Sequence, residues 1–169
     1  MSYPSFILLM FFTIPLICCN KGENVLRIES WGSGAPELTI SAPSGYIIQK
    51  KKGPDFDVHY VRVKDPKDPS MGIYIGHHPN LFSSQRKEIE TEREEDIILG
   101  QNVEWTVWQE KSNGKTIYYC EVIVKGVFKG LEGRGVASLI VHIFIRGPDQ
   151  KKVNSLKKSA KSLQTVSKQ

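Results

Sequence analysis

The sequence predicts an α+β domain, a mainly antiparallel, twisted sheet with a C-terminal helix packed on one face. Three observations carry this expectation. Short runs bounded by Gly, Pro and Asn turns recur from Glu37 to Arg146, several with two-residue apolar/polar alternation. Asn113-Gly114 lies between two such runs and supplies the positive φ angles of a tight hairpin. Beyond Arg146 the period changes. Val153, Leu156, Ala160, Leu163 and Val166 fall at spacings of three and four, the stripe of a surface helix whose other face is lysine and serine.

In chain order, the first element is a leader. Phe6 to Cys18 is an apolar run of about 13 residues, short of the roughly 20 needed to span a bilayer but right for the core of an export signal. Pro15 breaks it near its end. No Asp, Glu, Lys or Arg precedes Lys21, so the net charge of +5 belongs to the chain from Lys21 onward. Leu16-Ile17-Cys18-Cys19 resembles a bacterial lipobox, in which the final Cys receives a diacylglyceryl group. The resemblance implies Cys19 as the lipid attachment residue and a membrane as the first partner. Two features depart from that pattern: Cys18 stands where a small Gly, Ala or Ser is usual, and the basic stretch before the apolar run is missing. An ordinary secretory signal with incidental cysteines is the alternative. The expected division is signal peptide 1–18, tether 19–36 and a single domain 37–169, placed in the periplasm or on the outer face of a bacterial membrane.

Within the tether, Val25 to Ile28 could form a short strand. Leu38-Thr39-Ile40 is a strand closed by the turn Ala42-Pro43-Ser44-Gly45, and Tyr46 to Lys50 continues extended. Phe56 to Val61 alternates with the period of a half-buried strand. Met71 to Ile75 is a short apolar strand ending at Gly76-His77-His78-Pro79-Asn80. From Gln85 to Asp96 six acidic residues accompany one apolar anchor, Ile89, which suits a solvated strand or a mobile segment better than a packed helix. Val103–Lys111 and Lys115–Lys125 are the arms of the Asn-Gly hairpin. Gly126 to Gly135 is a glycine-rich loop anchored by Phe128 and Leu131. Val136 to Arg146 is the most apolar strand, and its unbroken run suits a central position covered on both faces. Pro148 then opens the helix.

The order of these parts resembles the PsbP/Mog1-like superfamily. The resemblance rests on Ile40-Ser41-Ala42-Pro43-Ser44-Gly45-Tyr46, a short strand entering a Pro-x-Gly-aromatic turn, and on the closing strand Ile140–Ile145 with the helix Val153–Val166. It spans roughly 37–166. It implies an α/β/α sandwich and no catalytic residues, since that family mixes photosystem accessory subunits, binding partners and bacterial lipoproteins.

Few residues suggest chemistry. Neighbouring histidines on a strand point to opposite faces, so His77 and His78 chelate one metal only if the turn brings both inward. With His59 and His142 the only other histidines, a metal is not expected, and no cofactor is. His142 shares a face with Ile140 and Phe144 and reads as a satisfied core histidine. Cys120, set in an apolar strand, reads as a small buried hydrophobe. Trp105 and Trp108 lie on opposite faces of one strand, so at least one is core and the other could anchor an envelope partner. Lysines cluster at Lys50-Lys51-Lys52 and from Lys151 to Lys168, without the interleaved aromatic residues of single-strand binders, and no nucleic-acid partner is expected. The favoured expectation is a lipid-anchored, non-enzymatic binding or accessory domain. The alternatives are a periplasmic enzyme using His77, His78 or Cys120, and binding to anionic surfaces through the C-terminal lysines.

Overall fold

A computed structural model describes residues 22–29, 37–53, 56–65, 67–86, 88–127 and 139–166. The leader with Cys19, Trp31, and the Phe128 and Leu131 anchors lie outside these residues. The strands in order are β1 (Glu23–Ile28), β2 (Glu37–Pro43), β3 (Ile47–Lys52), β4 (Phe56–Arg62), β5 (Ser70–Gly76), β6 (Glu92–Ile98), β7 (Gln101–Ser112), β8 (Lys115–Val124) and β9 (Ile140–Gly147). Helix α1 (Gln150–Lys161) and a last short strand, β10 (Gln164–Val166), close the chain. The α+β expectation holds. Seven strands form an antiparallel sheet in the order β3-β4-β5-β9-β8-β7-β6, and β1-β2-β10 form a small second sheet. No helix of the described residues is long and apolar enough to cross a membrane.

Register explains the layers. Ile73 faces Ile143 across β5 and β9, and Val122 faces Ile143 across β8 and β9. These residues, with Met71, Val141, Ile145 and Trp105, line one side of the large sheet and are buried. Against them pack Val153, Leu156 and Ala160 of α1 and Leu38, Ile40 and Ala42 of β2, giving one continuous core. Strand β9 takes the central position that its apolar run suggests. The Asn113-Gly114 turn has φ of 51° and 72°, as the hairpin reading requires.

Several expectations are corrected. The short strand expected at Val25 to Ile28 is present and begins two residues earlier, Glu23–Ile28 pairing antiparallel with β2 as an edge strand. The helix ends at Lys161, not Val166; the chain turns at Ser162, buries Leu163, and uses Gln164–Val166 to cover the free side of β2. Its N-cap is Asp149, whose carboxylate accepts from the Lys151 and Lys152 amides, so Pro148 precedes the helix instead of opening it. Most of the acidic run forms β6, the solvated edge strand that is one of the two expectations for it. Strand β4 is covered on both faces: Val61 joins the helix-side core while Val58 is buried on the other side.

Candidate functional site

The second face of the large sheet carries no helix among the described residues. It is covered in part by the connection after β5, which contains a 3-10 turn at Ser83–Gln85. Here β8 presents Glu121 and β9 presents His142, on the same face because Glu121 lies opposite Phe144 and Ile123 opposite His142. A carboxylate between Cys120 and Val122 in a buried strand needs partners, and the connection brings them. The Phe82 amide donates to Glu121 Oε2 and the Ser83 amide to Oε1, each at 2.9 Å. His142 Nε2 lies 3.1 Å from Oε2.

Both side chains are 2% exposed. Burial alone would raise the Glu121 pKa, but the hydrogen bonds from His142, Ser83 and Phe82 together outweigh it and hold the carboxyl below its ordinary value. Phe82 closes the site, its ring 5.0 Å from Phe144 and 6.0 Å from His142. Further along, Arg86 pairs with Glu110 and lies 5.4 Å over the Tyr119 ring, which stacks on Trp108 at 5.2 Å. The connection is thus held at one point by a buried carboxylate and at another by a cation over an aromatic stack.

A carboxylate–imidazole pair is the orienting half of an acid–base device. Here both members are enclosed and spent on backbone amides and on each other, so the arrangement fastens a connection to the sheet. His142 is a satisfied core histidine, as its sequence context suggests. Sequence reasoning misses Glu121. Its signal is a lone acid in an apolar strand two register positions from a histidine in the next.

The other sequence candidates are scattered. The rings of His77 and His78 are 6.3 Å apart, and the His78 amide donates to the Tyr74 hydroxyl. Among the described residues no three His, Cys, Asp or Glu gather where they could hold a metal. Cys120 is buried on the helix side, and burial pushes its thiol up to about 12, leaving no thiolate at neutral pH. Trp105 and Trp108 do lie on opposite faces, yet both are buried: Trp105 donates to Asp96 at 3.2 Å and Trp108 to Glu110 at 3.0 Å. Three C-terminal lysines are committed internally, Lys152 to Asp68, Lys157 to Glu94 and Lys161 to Asp96.

Two further features lie apart from this pair. His59 is 1% exposed on the helix side of β4, and its Nε2 has no hydrogen-bond partner among the described residues. Burial, reinforced by Lys50, lowers its pKa, against the opposing pull of Asp57 and Glu29. An open cleft of about 520 Å³ lies between β2 and α1, lined by Ser41, Ser44, Ser155, Ser159 and Lys158. No protein-family model matches this chain, and no curated protein does.

Proposed function

We propose that this protein is exported and held at a bacterial membrane by a lipid on Cys19, and that its domain is a non-enzymatic binding or accessory module of the cell envelope. The observation that carries the reading is the apolar leader ending at Leu16-Ile17-Cys18-Cys19, immediately ahead of the folded domain. Strand β1 begins at Glu23, so three residues separate it from Cys19, four Cα–Cα steps in all. Fully extended, that chain reaches about 14 Å. An anchored domain would therefore ride close to the headgroups. The enclosed Glu121–His142 pair and the high thiol pKa of Cys120 favour binding over catalysis.

A PsbP/Mog1-like domain is supported by the antiparallel sheet with a closing helix and by the turn after β2. In that turn Gly45 takes a φ of 88° and the Tyr46 amide donates to Pro43 O. The second helical layer of an α/β/α sandwich is not among the described residues.

Metabolic labelling with a fatty acid tests the anchor. Wild type should carry label and fractionate with membranes, while Cys19→Ala should do neither. An unlabelled wild type would sink lipidation, and a protein shielded from external protease in spheroplasts would sink export as well.

A further inference from the structure

The two edges of the large sheet carry opposite charge and exposed isoleucines. Edge strand β3 reads Ile47-Ile48-Gln49-Lys50-Lys51-Lys52, and edge strand β6 ends Arg93-Glu94-Glu95-Asp96-Ile97-Ile98. Ile47 is 48% exposed and Ile97 60%, two of the three large hydrophobic side chains left in solvent among the described residues. We infer that β3 of one copy pairs antiparallel with β6 of a second copy, extending the sheet from molecule to molecule through complementary edges.

Topology limits how this can happen. Successive antiparallel pairings carry the sheet from β3 to β6, and the two edges run in the same direction. An antiparallel β3–β6 junction therefore requires the second copy to be turned over, its helix on the opposite side. Directly opposed residues share a side of the combined sheet, so a helix-side residue of one copy must face a second-face residue of the other. Ile48 and Lys50 are helix-side, because they lie opposite Val61 and His59, the β4 residues paired with core Met71 and Ile73. Arg93, Glu95 and Ile97 are second-face, because they alternate with Glu92, Glu94 and Asp96, opposite core-side Val107, Trp105 and Val103.

One register obeys this rule and matches chemistry along the strand. It sets Ile47 against Ile98, Ile48 against Ile97, Gln49 against Asp96, Lys50 against Glu95 and Lys51 against Glu94. The one like-charged pair is Lys52 with Arg93, and Glu104 lies 3.3 Å from Arg93. Sliding by two residues either way puts isoleucine against Asp96 and Glu95, or lysine against Ile97. Parallel pairing would set the lysines beside the apolar end of β6. Joining β6 to β6 along its length opposes acid to acid, and joining β3 to β3 sets lysine against isoleucine, glutamine or lysine. Charged edges commonly block sheet addition; here the block acts between like edges and is lifted between unlike ones. Such a junction is heterologous, so it propagates into rows unless it closes.

Sedimentation velocity of the full chain in one detergent tests this. Lys51→Glu spoils the basic edge, where it would face Glu94, and Glu95→Lys the acidic one, where it would face Lys50, at residues that make no ion pair within the described residues. Wild type should form dimers and larger species that dissociate with added salt, and each variant alone should be monomeric. Mixed, they should form a 1:1 dimer that grows no further, since each retains one native edge. Matching melting curves establish that the variants fold; if they do not, Lys51→Gln and Glu95→Gln should each weaken association by about threefold to tenfold. A monomeric wild type, or a mixture without heterodimer, would overturn the inference. The leader is common to every species, so a Cys19 that is never acylated leaves these outcomes unchanged.

Discussion

On its helix side the large sheet presents Ile73, Val122, Ile143 and Ile145 to α1 and the small sheet, all of them buried. On its other side the same strands present Glu121, His142, Phe144 and Tyr119 to the connection around Phe82 and Arg86. The first layer is held by area removed from water, which is non-directional and spread over many residues. The second is held by a few directional contacts to one carboxylate and one guanidinium. The helix side should therefore lose stability in proportion to volume removed. The other side should lose the position of a whole segment when one group is removed.

The largest effect should come from Ile143→Ala at the centre of the sheet, a fully buried site where truncation leaves a cavity. Denaturant unfolding should show a loss of about 3–4 kcal/mol, with little change in which amides exchange first. Glu121→Ala should cost about 3 kcal/mol, because two amides and an imidazole lose their acceptor inside the protein. Its distinguishing mark is local: the Phe82 and Ser83 amides should exchange fast while the Ile143 amide stays protected relative to them. Equal acceleration everywhere would erase the distinction between the faces.

Acid should separate the two sides further. The folded Glu121 carboxyl lies below its ordinary value of 4.5, so its contribution is complete above 4.5 and lost as pH falls through the folded value. His59, on the helix side, is also lowered, from 6.5. Below 6.5 the folded state binds fewer protons there than the unfolded chain, so stability begins to fall as pH drops from that point. His59→Leu should flatten this earlier step and, by removing an unpaired buried nitrogen, add about 1 kcal/mol at neutral pH. A melting series from pH 7 to 4 checks both; an unchanged slope in the variant would remove His59 as its source. The smallest effect is expected at the helix start, where Asp149→Ala should cost about 1 kcal/mol by thermal melting.

Local signals are legible where local physics decides. Asn113-Gly114 specifies a hairpin because both residues tolerate positive φ. The hairpin between β6 and β7 is less visible, since its turn uses Leu99-Gly100 at φ of 52° and 71°, and leucine seldom takes that geometry. Leu99 is half-buried against the core, and that packing offsets the local cost. Periodicity overextends the helix because Leu163 and Val166 continue its stripe; pairing of Gln164–Val166 with β2 is a contact that periodicity does not encode. Strand alternation places Trp105 and Trp108 on opposite faces correctly. That Trp108 is also covered depends on its stack with Tyr119, beneath Arg86.

By itself the sequence determined the class of fold, the central apolar strand and the hairpin at Asn113-Gly114, because two-residue and 3.6-residue periods and glycine's backbone freedom act within a few residues of chain. Only the tertiary structure decided that Glu121 and His142 meet under Phe82, that both tryptophans are covered, and that a basic and an acidic strand end up as the two outer edges of one sheet. Those are pairings between residues far apart in the chain, fixed by strand order and register, and no local pattern specifies either.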